Sequence, residues 1–209
     1  MALRPDCGHN SVAPRASRAA KQGRNRMAIE SKHYGGMAKL LHWAVALLVM
    51  ASLIYAWSLP RHSDPAYESV LLWHKSFGAA VLVLIAVRLA WRAGNPVAPA
   101  ATLTPIEALA SRVTHALLYA TMLLLPITGY LFSSLEGQRL DLFGLVTLAS
   151  PFATDRSISR PIEAIHKLGQ WAVYILVGLH ALAAFYHHFI KRDGVLTRML
   201  PMARAQEGE

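Results

Sequence analysis

The stretch IHKLGQWAVYILVGLHALAAFYHH, residues 165–188, decides the fold. From Leu168 to Ile190 there is no Asp, Glu, Lys or Arg. That run matches the roughly 20 residues that cross a hydrocarbon core as a helix. Two of its histidines, His166 and His180, are 14 residues apart. On a helix this is about 21 Å along the axis and only about 40° around it. One face, with Val177 and Ala184 on the same stripe, therefore presents a nitrogen ligand at each of two depths.

Working outward, Leu40 to Pro60 and Val113 to Leu135 are also free of charged residues. Ser69 to Leu89 is interrupted only by Lys75 and Arg88 near its ends. The count is four spans, at about residues 34–59, 67–91, 105–133 and 161–190. The expected fold is an all-α, integral membrane four-helix bundle. A fifth apolar stretch, Leu142 to Ala153, is too short to cross and contains Gly144 and Pro151. It reads as an interfacial segment lying on one membrane face. Composition agrees: of 209 residues, 54% are hydrophobic and 16% charged, against about 25% charged in a soluble domain. The single cysteine, Cys7, excludes an intramolecular disulfide framework, a Cys-ligated zinc site and an iron–sulfur cluster.

The net charge of +9 becomes an orientation. Arg4, Arg15, Arg18, Lys21, Arg24, Arg26, Lys32 and Lys39 precede span 1. Arg88, Arg92 and Arg112 flank the link from span 2 to span 3, and Lys191, Arg192, Arg198 and Arg204 follow span 4. The opposite side has Arg61, Arg139, Arg156 and Arg160, with Lys75 and Lys167 at the span edges. The positive-inside rule then puts both termini in the cytoplasm. The basic balance reads as topology and not as a nucleic-acid patch.

Residues 1–26 are rich in Arg, Ala and Ser and lack apolar periodicity. A transit peptide or a flexible basic arm has such a composition. The favoured expectation is translation from Met27, which leaves a short lead into span 1. The membrane domain is then residues 27–202, followed by a polar tail at 203–209. The link from Ala93 to Pro105 holds Pro96, Pro99 and Pro105, and Pro105 after Thr104 suits a helix start.

Histidines in spans are costly and face a partner or cavity. His42, His115 and His180 lie about 13 to 16 Å from the basic side, and His74 and His166 about 9 to 12 Å from the other. Two levels of histidine suit two haems, whose irons take axial nitrogen ligands inside an apolar bundle. Gly78, Gly169 and Gly178 would make room for the rings. Zinc would need three or four converging ligands. His9, His33 and His62 lie outside the spans as polar surface, and His188 sits at an interface. Trp43, Trp57, Trp73, Trp91 and Trp171 sit near span ends as interfacial anchors.

Leu-His-Trp at 41–43, Trp-His-Lys-Ser-Phe-Gly at 73–78, Ile-His-Lys-Leu-Gly at 165–169 and Gly-Leu-His-Ala-Leu-Ala-Ala-Phe-Tyr-His-His at 178–188 are informative together. With Leu-Thr-Arg-Met-Leu-Pro at 196–201, they make the chain resemble the bacterial cytochrome b561 family over Met27 to Met202. The resemblance implies two b-type haems, one held by His42 and His180 on the cytoplasmic side, the other by His74 and His166 on the periplasmic side. It decides against His115, which depth alone leaves open. It also implies a superoxide oxidase-like enzyme of the bacterial inner membrane, passing electrons from superoxide at the periplasmic face to ubiquinone.

On that reading, Lys75 and Lys167 beside the outer ligands, and Arg88 and Arg92 on the inner side, pair with haem propionates. Arg61, Arg156 and Arg160 in the adjoining loops join Lys75 and Lys167 in pairing with the outer propionates, and together they steer a small anion such as superoxide. His187, on the His180 side of span 4, hydrogen-bonds a quinone carbonyl or supplies its proton. Two alternatives are a haem b anchor relaying electrons from a dehydrogenase or hydrogenase partner subunit to quinone, and a haem-free proton-coupled transporter.

Overall fold

The computed structural model describes residues 34–97 and 100–200. The expected extension at 1–26, His9, His33 and the tail at 203–209 lie outside the described residues. Four helices carry the fold: α1 (Gly36–Trp57), α2 (Tyr67–Gly94), α3 (Pro105–Leu135) and α4 (Arg156–Phe185). A hairpin of β1 (Leu140–Leu142) and β2 (Val146–Leu148) joins α3 to α4, and α4 ends in a π-helical turn, Tyr186–Lys191. All four helices are long and apolar enough to cross a membrane.

The helix ends follow local chemistry. Thr104 and Glu107 form a reciprocal capping box with Pro105 at the first helical position, satisfying two backbone donors that a helix start leaves free. The span expected from residue 161 begins earlier, at Arg156, because Asp155 accepts from Ser157 N at 2.9 Å and starts the helix there. Pro161 is accommodated inside its early turns.

The chain runs up and down. α1 packs on α2, α3 on α4, and α2 joins the two pairs through α3. At one end, called the basic end, Arg88 Nη1 donates to Ala38 O at 3.1 Å and Lys191 Nζ donates to both Glu107 carboxylate oxygens at 2.7 and 2.8 Å. At the other, the hairpin end, Lys75 Nζ donates to Gln138 Oε1 at 2.7 Å. The C-terminal segment folds back along α1, where Met199 O accepts from Trp43 Nε1 at 2.8 Å and Leu200 O from Lys39 Nζ at 3.0 Å. Trp43 is thus a structural clasp as well as an aromatic near a span end.

The stretch expected to be only an interfacial segment is in part a β-hairpin. Its turn is closed by Leu145 N–H donating to Leu142 O at 2.9 Å. The two central residues, Phe143 and Gly144, have φ of 54° and 70°, the left-handed pair that matches strand twist. Ser76 anchors the hairpin to α2: its Oγ accepts from Phe143 N at 2.8 Å and lies 3.1 Å from Asp141 O. Leu145, Val146, Leu148 and Phe152 remain exposed.

The buried core is small. Val45, Val49, Val81, Ile85 and Val173 form one cluster midway along the bundle. Most other large apolar side chains, such as Leu40, Leu47, Ile54, Leu179 and Leu182, face outward. An exterior this apolar belongs in lipid, where it costs nothing to leave uncovered.

Candidate functional site

Two cavities lie in the bundle, one on each side of the valine cluster. The larger, about 360 Å³, opens toward the hairpin end and is lined by His74, His166, Lys75, Gly78, Gly129 and Gln138 among others. The smaller, about 110 Å³, is lined by His42, His115, His180, Arg88, Met50 and Val177 among others. Val49 and Met122 line both. A single layer of side chains therefore separates the two.

In the larger cavity α2 and α4 present His74 and His166 to each other, with ring centres 6.3 Å apart. Each ring is fixed through Nδ1. His74 Nδ1 donates to Ser52 O at 3.0 Å, with Ser52 Oγ at 3.3 Å. His166 Nδ1 donates to Leu125 O at 2.9 Å, with Thr128 Oγ1 at 3.3 Å. A carbonyl only accepts, so Nδ1 carries the proton and Nε2 keeps its lone pair. This is the usual support for a metal-ligating histidine.

Local sequence explains the cradle around His166. Pro126 has no N–H and interrupts the hydrogen-bond ladder of α3. In the next turn Gly129 lets the imidazole come close: a Cβ there would meet His166 Cε1 at 2.8 Å and Nδ1 at 3.1 Å. Neither residue was singled out from the sequence. The signal was the run Pro126, Thr128, Gly129 in the middle of an otherwise apolar span. Of the glycines that were singled out, Gly78 lines the larger cavity. Gly169 instead receives Leu125, whose Cδ1 occupies the space a Cβ would take. Gly178 faces open space and lines neither cavity.

In the smaller cavity α1 and α4 place His42 and His180 with ring centres 6.2 Å apart. His115, from α3, is closer still to His180, at 5.1 Å. Its Nδ1 donates to Ser111 O at 2.6 Å. Arg88 is buried in this wall, and its Nε donates to Tyr119 Oη at 3.2 Å. No carboxylate pairs with it among the described residues.

The remaining expected site residues are placed less centrally. Arg92 is exposed near the end of α2 and lines neither cavity. Lys167 points outward, 69% exposed, and pairs with Glu163 at 2.6 Å; of the two lysines, only Lys75 lines the larger cavity. His187 is buried in the π-helical turn and lines neither cavity; its Nδ1 is 2.5 Å from Asp193 Oδ2. Burial pushes the Asp193 carboxyl up, but hydrogen bonds from His187 and Val195 N more than offset this and hold it below its usual range. Arg61, Arg156 and Arg160 are exposed at the hairpin end.

These residues fit haem. Two metal–nitrogen bonds of about 2 Å, each continued to an imidazole centre, separate the ring centres by roughly 6 Å. Both facing pairs have that spacing. The larger void falls within the roughly 300–1,000 Å³ of small-molecule sites. The smaller falls below it, but Met50 and Met122 in its wall are unbranched side chains that repack readily.

Comparison with known proteins agrees with this chemistry. A family profile described as prokaryotic cytochrome b561 matches residues 33–202. Cytochrome b561 homolog 2 of Escherichia coli is 28% identical over 180 residues, covering 85% of this chain and 96% of the relative. The probable superoxide oxidase CybB of Yersinia pestis is 32% identical over 183 residues, covering 83% and 98%. Cytochrome b561 homolog 1 of Escherichia coli is 32% identical over 169 residues, covering 77% and 93%.

Proposed function

The chain belongs to the prokaryotic cytochrome b561 family, and from that premise we propose that it is a di-haem electron carrier of the bacterial inner membrane, oxidising superoxide and reducing ubiquinone. Family membership makes it a haem-bearing electron-transfer protein and sets aside the haem-free transporter. The finer reading is carried by one observation: two facing histidine pairs with the spacing of bis-imidazole iron, separated by one layer of side chains.

His74 and His166 hold the haem near the hairpin end, and His42 and His180 the haem near the basic end. With two imidazoles presented to each, the haems would supply electron transfer without binding substrate at the iron. The protein's own groups supply the rest. Lys75 in the outer cavity wall, and Arg61, Arg156 and Arg160 around its mouth, draw in a small anion. Arg88, a buried cation with no carboxylate partner among the described residues, would offer its remaining N–H groups to an inner propionate. Arg92 and Lys167 contribute charge from the surface only. His187, held by Asp193 two turns beyond His180, donates a proton to a quinone at the basic end. Two superoxide ions each give one electron and leave as O₂, while one ubiquinone takes both electrons and two protons. The distribution of basic residues orients the bundle with both termini cytoplasmic and the hairpin end periplasmic.

The superoxide oxidase reading is favoured by the 32% identity to a relative named for that activity. The test mixes purified protein, a superoxide generator and a water-soluble ubiquinone analogue, and follows the haem alpha band and quinol together. Haem reduction that outpaces spontaneous dismutation, with one quinol per two superoxide ions, is the expected result. Haems that stay oxidised under the superoxide flux but are reduced by a co-purifying dehydrogenase would move the assignment to an anchor subunit.

A further inference from the structure

We propose that His115 is a positioning residue for the inner haem: its Nε2 accepts the Nδ1 hydrogen of His180 and so sets that ligand's basicity. The inference rests on the di-haem reading above.

The four proposed ligands are not supported alike. His74 and His166 each give Nδ1–H to a backbone carbonyl, Ser52 O and Leu125 O. His180 has no hydrogen-bond partner among the described residues. On α3 the His115 ring meets it edge to face, with centres 5.1 Å apart and planes at 81°.

Two spacings separate the roles of the inner histidines. The 6.2 Å between His42 and His180 accommodates a metal between two nitrogens. The 5.1 Å between His115 and His180 is too short for that. It is the spacing of a ring-to-ring N–H···N hydrogen bond: about 2.9 Å between nitrogens, continued to each ring centre. The rings now meet edge to face without that bond, so the proposed bond requires a turn of the His180 ring about χ2.

The tautomer of His115 supports the direction of the bond. Its Nδ1 lies 2.6 Å from Ser111 O, an oxygen that can only accept. The proton is therefore on Nδ1, and Nε2 of the neutral ring is an acceptor. That Nε2 belongs to a side chain lining the same cavity as His180 and His42. Arg88, Tyr119 and His42 are the other polar groups of that wall. Arg88 is donor-only and cannot take the His180 hydrogen. Tyr119 Oη already accepts from Arg88 Nε. Of the acceptors in this wall, His115 Nε2 is on the ring that lies against His180, 5.1 Å between centres.

An acceptor on the far nitrogen makes a ligating imidazole more basic. A more basic ligand favours the oxidised iron, so loss of the acceptor raises the inner potential.

The experiment is a redox titration of full-length purified protein, with haem content and low-spin EPR spectra recorded on each sample. Wild type, His115→Phe and His115→Gln are compared. The expected result is two haems in all three, one midpoint potential and one EPR signal displaced in His115→Phe, the potential upward, and both restored toward wild type in His115→Gln, whose amide oxygen also accepts. If His115→Phe fails to assemble, His115→Leu is titrated in its place. Unchanged potentials and spectra in the apolar variant would reduce His115 to packing and overturn the proposal. Loss of one haem with His115, while His42→Ala keeps two, would make it a ligand and overturn it too. A wild-type chain without b-type haem would instead defeat the di-haem reading, recognised by haem content before any potential is measured.

Discussion

At the residue scale the outer site depends on Gly129 as much as on the histidine it touches. An added methyl would sit 2.8 Å from His166 Cε1, inside van der Waals contact. The imidazole cannot yield without leaving Leu125 O, its 2.9 Å partner. On the proposed di-haem reading, Gly129→Ala should therefore lower haem content from two per chain toward one and broaden the outer low-spin signal. The control is Gly169→Ala. Its methyl meets only the mobile end of the Leu125 side chain, which can rotate away, so both haems should remain. Pyridine haemochrome quantitation reads both variants; full haem content in Gly129→Ala would show that the close approach is unimportant. The histidine levels were legible in the sequence because depth and angular position follow from counting residues along a helix. The carbonyls that fix each ring were not. Leu125 and His166 are 41 residues apart, and their meeting depends on how two helices pack.

At the element scale, helix identity came from hydropathy and helix starts came from caps, because both signals lie within a few residues of the feature they specify. The Thr104–Pro105–Glu107 start is of this kind. The hairpin and the π-helical turn are not. Strands of three residues are too short to establish a period of two, so an apolar stretch was all that sequence revealed. What holds the hairpin is Ser76, a fully buried hydroxyl on α2. Removing it leaves the Phe143 N–H without its 2.8 Å partner. Loss of such a part-buried hydrogen bond costs about 0.5–1.5 kcal/mol. Ser76→Ala should lower thermal stability accordingly and speed proteolysis between residues 140 and 148, with the four helices intact by circular dichroism. An unchanged cleavage rate would mean that the apolar contacts of Trp73 and Phe77 with Phe143 suffice.

At the scale of the whole molecule, the two pairs of helices do not close on each other with a thick core. A thin valine layer crosses the middle, and a histidine-lined cavity lies on either side. As a soluble protein this would be poorly packed; in a membrane, on the proposed di-haem reading, the same layer sets a short path between the two cofactors. The order of the path can be tested by breaking its outer end. His166→Ala removes one of the two proposed outer ligands and leaves His42 and His180 untouched. In proteoliposomes, a superoxide generator outside should then reduce the inner haem far more slowly than in wild type, because the direct relay is lost. A membrane-soluble quinol, acting at the basic end, should reduce that haem at the wild-type rate. The contrast separates loss of the relay from general damage, since misfolding would slow both reactions. Equal superoxide rates in variant and wild type would mean that electrons reach the inner level without the outer one, and that the two cavities do not act in series.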